Sequence, residues 1–153
     1  MIRPAVTGDA DWIATLWNEM IKDTLFTFTT EPKSQDAVAE MIATRPVLVL
    51  PDEAGFATYG PFRSGPGYAA TVEHTIILDP AAHGQGQGRA LLNALMEHAR
   101  AAGNHVTVAA ISGANPDAVA FHAALGFDHV GHMREVGQKA GRWLDLILMQ
   151  KLL

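Results

Sequence analysis

The chain of 153 residues contains no cysteine, which excludes cysteine nucleophiles and thiolate metal sites. No apolar run approaches the roughly 18 residues of a membrane span, and the first residues carry no secretory signal. Acidic and basic residues are scattered and give a net charge of -5, which argues against a nucleic-acid groove. These absences predict a cytoplasmic protein that acts on a small molecule, with neither nucleic acid nor membrane as a partner.

The composition is that of a folded globular protein. Hydrophobic residues make up 48% of the chain and charged residues 18%, a balance that can bury a core. No linker, internal repeat or low-complexity tract divides the sequence. We therefore expect one domain that spans residues 1–153.

Short helical and strand patterns alternate along the chain. Apolar residues at helical spacing predict helices after residue 9, after Ser34, from the glycine-rich stretch through Arg100, and from Pro116 to Leu125. Residues 24–32 read as a loop. Strands are predicted at residues 1–5, 46–50, 55–63, 68–78, 105–111, 127–136 and 143–151. This order indicates an α+β protein with mixed α/β layers.

The stretch HGQGQGRALL, at residues 83–92, places three glycines before the start of a helix. Free N–H groups and the dipole at a helix N-terminus favour an anion such as a phosphate. A P-loop is excluded because no lysine follows, and the GxGxxG dinucleotide motif is excluded because Arg89 and Leu91 occupy its third glycine position. A tight strand-to-helix connection remains the plain alternative to a phosphate site.

The segment from His83 to Gly88 resembles the pyrophosphate loop of the GNAT superfamily of N-acetyltransferases. That loop usually reads Gln or Arg, two residues, Gly, one residue, then Gly or Ala, and His83 stands at its first position. Three further segments are similar to the phosphinothricin acetyltransferase group: YGPFRSGPGYAATVEHTIILDP, ISGANPDAVAFHAALGF and GRWLD. The resemblance implies the acyl-CoA N-acyltransferase fold, with a central, mostly antiparallel mixed sheet flanked by helices.

The resemblance implies acetyl-CoA as the co-substrate and no metal. Its pyrophosphate would lie on the backbone amides of residues 85–89, and its pantetheine arm along the preceding strand. The implied cofactor-binding residues are Ile76, Ile77, Leu78, His83, Gly84, Gln85, Gly86, Gln87, Gly88, Arg89 and Asn115. Asn115 is equally suited to cap the following helix.

The resemblance also implies two catalytic side chains. Glu73, within TVEHTII, corresponds to the family's general base, and partial burial would raise its pKa toward neutrality. The alternatives for Glu73 are a solvent-facing position beside Thr71 and Thr75, or an ion pair with an arginine. His122 would serve as the acid near the CoA sulfur, and a backbone N–H near Ile76 would stabilise the oxyanion.

The acceptor pocket is expected to contain Phe28, Phe62, Arg63 and Glu73. Arg63 can hold a carboxylate in a bidentate fork, although an exposed charge at a strand end is an equal alternative. Trp143 is expected to close the pocket or to contribute to a homodimer interface. His129 and His132, three residues apart on a predicted strand, should face opposite ways, which disfavours a shared metal.

We therefore expect an N-acetyltransferase that transfers acetyl to the α-amine of a small amino acid or analogue by direct attack. Methionine sulfoximine, methionine sulfone and phosphinothricin are the implied acceptor types. Absence of cysteine and of a serine nucleophile elbow disfavours an acetyl-enzyme. The alternatives are an enzyme that acetylates a protein or peptide, and a non-catalytic acyl-CoA-binding module.

Overall fold

A computed structural model describes all 153 residues. The four α-helices are α1 (Ala10–Asp23), α2 (Gln35–Thr44), α3 (Gln87–Ala101) and α4 (Pro116–Ala124). The seven strands are β1 (Arg3–Pro4), β2 (Val47–Val49), β3 (Gly55–Pro61), β4 (Thr71–Leu78), β5 (Val106–Ser112), β6 (Asp128–Lys139) and β7 (Arg142–Leu152). They form one sheet in the order β1-β2-β3-β4-β5-β7-β6. No helix is both long and apolar enough to cross a bilayer.

Neighbouring strands of this sheet run antiparallel except at β4 and β5, which are parallel. The expected α+β fold, with a mixed and mostly antiparallel sheet flanked by helices, is therefore confirmed. Helices lie on both faces of the sheet. On one face α1 and α2 bury Ile13 and Val38 against Phe56 and Ile77, and on the other α3 buries Leu91 among apolar side chains of the sheet.

Two predicted strand ends are wrong because the β3–β4 connection is longer than expected. β3 ends at Pro61 rather than Arg63, and β4 begins at Thr71 rather than residue 68. Residues Pro66–Tyr68 form a short 3-10 helix with proline at its first turn, and Gly65 before it has a φ of 108°. Proline supplies no N–H for a sheet ladder, so this segment turns instead of pairing.

The prediction that His129 and His132 face opposite ways is also wrong. They pair with Met149 and Ile147 of β7, and the ladder shifts register between His129 and Gly131. Such a bulge inserts one residue, so the two histidines lie on the same face of the sheet. His132 instead lies 2.7 Å from a carboxylate oxygen of Asp145, and no group of three or more potential metal ligands assembles in the chain.

The parallel pairing of β4 and β5 is short and ends inside β4. Only Thr71 to Glu73 pair with β5, opposite Val106 to Val108, whereas β4 stays paired with β3 through Leu78. Beyond Glu73 the two strands separate and leave the backbone of residues 74–78 without a neighbour on the β5 side. We call this opening the β4–β5 gap, and Glu73 lies at its closed end.

Candidate active site

The glycine-rich stretch forms the turn between β4 and α3 at the open end of the β4–β5 gap. Gly84 and Gly86 have φ values of 78° and 77°, a left-handed conformation that glycine adopts without strain. A Cβ atom at either position would meet no atom within 4 Å. The backbone therefore curves around open space, which fits a cradle that a ligand approaches closely.

Gly88 serves a different purpose from the other two glycines. It is buried in the first turn of α3, and a Cβ there would lie 3.3 Å from Leu78 and 3.4 Å from Phe121. The missing side chain lets α3 pack closely on the end of β4 and on α4. The plain alternative, a tight strand-to-helix connection, thus accounts for Gly88 but not for the open space beside Gly84 and Gly86.

The amides of this cradle are free to bind a ligand. The first backbone N–H that is satisfied inside α3 belongs to Ala90, which donates to Gly86 at 3.1 Å, and no side chain caps the helix. The N–H groups of residues 85–89 donate to no acceptor in the chain. With the helix dipole and the exposed Arg89 they form an anion site that fits a pyrophosphate. His83, at the first position of the motif, is exposed.

Glu73 lies at the closed end of the gap, on the face covered by α1 and α2. It shares that face with Thr71 and Thr75, as one sequence alternative proposed, and none of the three ion pairs in the chain includes it. Although the residue keeps solvent access, surrounding protein atoms desolvate its carboxyl group and raise its pKa. A raised pKa brings a carboxylate closer to the range useful to a general base near neutral pH.

His122 lies on α4, on the opposite face of the sheet, and is only 4% exposed. Its Nδ1 lies 2.8 Å from the carbonyl oxygen of Ala118, and its Nε2 lies 2.9 Å from Nε2 of His74. Burial lowers its pKa, and the hydrogen bond to Ala118 opposes this effect. Its assignment as an acid stays a prediction, and both ring nitrogens are already engaged.

His74 is the buried neighbour of Glu73 in β4. Its Nδ1 lies 2.8 Å from the hydroxyl of Thr107 on β5. Burial, together with the proximity of His122, lowers the pKa of His74 to about 3. Because consecutive strand residues point to opposite faces, Glu73 and His74 extend from one point of β4 to both sides of the sheet.

Phe62 and Arg63 lie on the connection from β3 to β4. The Phe62 amide donates to the carbonyl of Thr71, two residues before Glu73. Arg63 stacks on the ring of Tyr68 at 5.5 Å and lines a cavity of about 490 Å³ that also contains Arg45. No acidic residue lines this cavity, so its two guanidinium groups favour an anionic ligand.

Arg45 follows α2, and its guanidinium lies over the backbone of Gly60. A Cβ at Gly60 would lie 2.7 Å from Nη1 of Arg45. Gly60 is the cross-strand partner of Glu73, and such partners point to the same face. The arginine therefore adds positive charge on the face that carries the predicted base.

Phe28 lies in the loop of residues 24–32 between α1 and α2. Its ring packs on the backbone of Gly137 in β6, where a Cβ would come within 2.5 Å of the ring. The buried Lys139 donates from Nζ to the carbonyls of Ile21 and Thr27 at 2.7 and 2.9 Å. The hydroxyl of Ser112 donates to another carbonyl of the loop at 2.7 Å. These bonds fix the loop beside the end of β5.

Asn115 ends the connection from β5 and caps α4. Its side-chain oxygen accepts a hydrogen bond from the amide of Ala118 at 3.2 Å, which confirms the capping alternative. Ile76, Ile77 and Leu78 form the β4 edge of the gap, where their backbone can pair with an extended ligand. Contact of these four residues with a cofactor stays a prediction.

Sequence reasoning missed four residues of this region: Arg45, His74, Thr107 and Lys139. His74 and Thr107 meet across 33 positions of the chain, and Lys139 reaches a loop 112 positions away. The one local signal was the ionisable pair Glu73-His74 inside an otherwise apolar strand. Nothing in the sequence around Arg45 indicates that Gly60 makes room for it.

Comparisons with known proteins agree with this geometry. Residues 14–127 match the acetyltransferase (GNAT) family. The chain is 39% identical to an L-methionine sulfoximine/L-methionine sulfone acetyltransferase of Pseudomonas aeruginosa, over 97% of this chain and 92% of that protein. A phosphinothricin acetyltransferase from Sinorhizobium meliloti, solved with acetyl-CoA, superposes with a TM-score of 0.94 at 35% identity. The match covers 100% of this chain and 88% of that one. A ribosomal-protein-alanine N-acetyltransferase from Brucella melitensis gives a TM-score of 0.95 at 35% identity, and the match covers 100% of this chain and 99% of that one.

The chain therefore belongs to the GNAT family of acetyltransferases. It is an N-acetyltransferase with acetyl-CoA as its co-substrate. The open cradle, the unpaired amides and the β4–β5 gap fit this co-substrate.

Proposed function

We propose that the enzyme acetylates the α-amine of a small amino acid or analogue of the methionine sulfoximine, methionine sulfone or phosphinothricin type. Attack is direct, within a ternary complex of enzyme, acetyl-CoA and amine. The observation that carries this proposal is the β4–β5 gap, which joins the glycine cradle at its open end to Glu73 at its closed end. Relatives named for these acceptors support the substrate class.

When bound, acetyl-CoA supplies the thioester carbonyl that the amine attacks and the sulfur that departs. The amides of residues 85–89 hold its pyrophosphate, and the edge of β4 positions its arm. Glu73 accepts a proton from the attacking amine, directly or through water. A backbone N–H near Ile76 stabilises the charge that develops on the carbonyl oxygen. His122, on α4, lies on the other side of the sheet and acts on the departing sulfur.

The acceptor is held by its anionic end. Arg63 and Arg45 line a cavity without acidic residues, next to the strands that carry Gly60 and Glu73. Phe62 packs edge-on against Tyr68, which lines this cavity. Phe28 packs on Gly137 of β6 and does not line it, so its part in holding the acceptor stays a prediction. A small amino acid with a free carboxylate matches this combination of charge and apolar contact.

The test is release of CoA thiol from acetyl-CoA across free amino acids, their sulfone and sulfoximine analogues, phosphinothricin, polyamines and peptides. We expect release with at least one small α-amine that carries an anionic group. Release with peptides alone would overturn the acceptor class. Initial rates that give parallel lines in double-reciprocal plots would overturn direct attack.

Glu73→Gln tests the base. Loss of general-base catalysis should lower kcat by about 10²- to 10⁴-fold, with a smaller loss at high pH, where the free amine dominates. Glu40→Gln, at an exposed position of α2, is the matched control and should leave kcat unchanged. Full activity of Glu73→Gln would refute the assignment, and an inactive wild type with every amine would favour a non-catalytic acyl-CoA-binding module.

Acetylation of a protein N-terminus is a second candidate. The similarity to the ribosomal-protein-alanine N-acetyltransferase from Brucella melitensis favours it. An alanine-starting peptide and free methionine sulfone, compared in the same assay, separate the two functions by their kcat/KM values.

We further propose that the enzyme is a cytoplasmic homodimer. Trp143, at the β6–β7 turn, is 61% exposed, and Val130, Met133 and Val136 of the same hairpin are also exposed apolar residues. A second copy would bury this surface. Light scattering should give twice the mass of 16.4 kDa, and Trp143→Ser should shift the mass toward the monomer.

A further inference from the structure

A row of buried, hydrogen-bonded side chains connects β5, β4 and α4 near the β4–β5 gap. Thr107 on β5 contacts Nδ1 of His74 at 2.8 Å, and Nε2 of His74 contacts Nε2 of His122 at 2.9 Å. Nδ1 of His122 ends the chain at the carbonyl of Ala118, at 2.8 Å. Three polar contacts thus join β5, β4 and α4 inside the protein.

When both imidazoles are neutral, the carbonyl of Ala118 fixes the direction of every hydrogen bond in this row. A carbonyl can only accept, so Nδ1 of His122 carries the proton and its Nε2 carries a lone pair. His74 must then donate from Nε2, which leaves its Nδ1 to accept from the hydroxyl of Thr107. The two imidazole rings are inclined by only 23°, which suits a hydrogen bond that lies near both ring planes.

No carboxylate contacts either ring. Glu73 points to the opposite face of the sheet, and Asp117 is exposed at the start of α4. Tyr59 and His74 line one small cavity, but the hydroxyl of Tyr59 bonds to His98 of α3. Lys151 of β7 donates to the backbone carbonyl of Leu125. The rings are 7% and 4% exposed, so an added positive charge would have neither a counterion nor water.

We propose that His74 and Thr107 are positioning residues that hold His122 as a neutral Nδ1–H tautomer, so that His122 serves the reaction as a hydrogen-bond donor and not as a proton donor. This inference rests on the proposed function for its catalytic part. His122 has one proton on its ring, and His74 blocks the other nitrogen. In the reaction, the Nδ1–H of His122 would exchange the carbonyl oxygen of Ala118 for the sulfur of acetyl-CoA as its acceptor.

The proton balance of the reaction follows. The protonated α-amine first gives one proton to Glu73, which passes it to solvent. As the N–C bond forms and the C–S bond breaks, the nitrogen gives up a second proton by the same route. The sulfur leaves as a thiolate, stabilised by the Nδ1–H of His122, and takes its proton from solvent. Neither imidazole changes its protonation state.

The first test is long-range proton–nitrogen correlation NMR of the histidine rings in the wild-type enzyme. From pH 7 to 5.5 we expect His122 to show the neutral Nδ1–H pattern and His74 the neutral Nε2–H pattern. Thr107→Val removes the hydroxyl donor and should disturb the His74 pattern. A doubly protonated His122 at pH 7, or an Nε2–H tautomer, would overturn the proposal regardless of any activity.

The second test separates hydrogen bonding from proton transfer by substitution. An asparagine side chain places an N–H near the position of histidine Nδ1 but cannot release a proton. We expect His122→Asn to keep kcat within about tenfold of the wild type, and His122→Ala to lose far more. Equal losses in the two variants would refute the donor role.

The third test addresses His74 itself. Glutamine retains an N–H donor near Nε2, so His74→Gln should keep most of kcat, whereas His74→Leu should lower kcat about tenfold with little change in KM for acetyl-CoA. A general packing defect would instead affect His74→Gln and His74→Leu equally and would change both kcat and KM. Absence of any transferase activity in the wild type would reject the proposed function. The NMR spectra would still decide which tautomers His74 and His122 adopt.

Discussion

Acidification from pH 7 to pH 5 should destabilise the folded protein through His74. Burial holds the pKa of this histidine at about 3 in the folded state, whereas an exposed histidine in the unfolded chain titrates near pH 6.5. Below about pH 6.5 the unfolded chain therefore binds a proton that the folded chain does not. The free energy of unfolding must fall as the pH falls through this window.

The magnitude follows from linkage. One proton of difference changes the free energy of unfolding by about 1.4 kcal/mol per pH unit, so His74 alone should lower it by about 2 kcal/mol between pH 7 and pH 5. His122 acts in the same direction because burial also lowers its pKa. Carboxylates with depressed pKa values, such as Asp9, lose their contribution only at lower pH. Burial raises the pKa of Glu73, which acts in the opposite direction, so the contribution of His74 is obtained from a comparison with a variant that lacks it.

The assay is urea unfolding of the wild type and of His74→Gln at pH 7, 6 and 5. Glutamine cannot be protonated, so the loss of stability between pH 7 and 5 should be smaller in the variant by about 2 kcal/mol. His129→Gln, at an exposed position of β6, is the matched control and should show the wild-type loss. Equal pH dependence in the wild type and in His74→Gln would refute a neutral, buried His74.

Three further outcomes are expected. Asp9→Asn should lower the free energy of unfolding at neutral pH by about 1–3 kcal/mol, because this 6% exposed carboxylate accepts two hydrogen bonds from Arg3 and one from the backbone N–H of Val6. Urea titrations should show that this deficit shrinks as the pH falls below about 4. Gly86→Ala should raise KM for acetyl-CoA, since alanine at its φ of 77° costs about 1–2 kcal/mol, and steady-state kinetics will detect the change. Lys139→Met should raise KM for the acceptor more than KM for acetyl-CoA, because it releases the loop that carries Phe28.

The elements that the sequence predicts well are those with local signals. Apolar spacing located all four helices, and Ser34 and Asn115 cap α2 and α4 as their side chains allow. The glycines at positions 84 and 86 adopt the positive φ values that their density suggested. Each of these features depends on residues within one or two turns of one another.

The features that escaped prediction depend on register and long-range packing. The bulge in β6 turns His129 and His132 to one face, although simple alternation separates them. Arg45 occupies space that exists only because Gly60, the cross-strand partner of Glu73, has no side chain. A contact that joins residues far apart in the chain leaves no periodic pattern in the sequence, so only the folded sheet reveals it.

The closed end of the β4–β5 gap explains why two ionisable residues stand side by side in β4. Strand alternation sends Glu73 toward the face of α1 and α2 and His74 toward α4, while the gap opens between them. A base can then approach the amine from one side as a hydrogen-bond donor approaches the sulfur from the other. Insertion of one residue before Glu73 would exchange the faces of both side chains, burying the carboxylate against α4 and moving the imidazole away from His122. The order Glu-His, and not merely the presence of both residues, is therefore what this site requires.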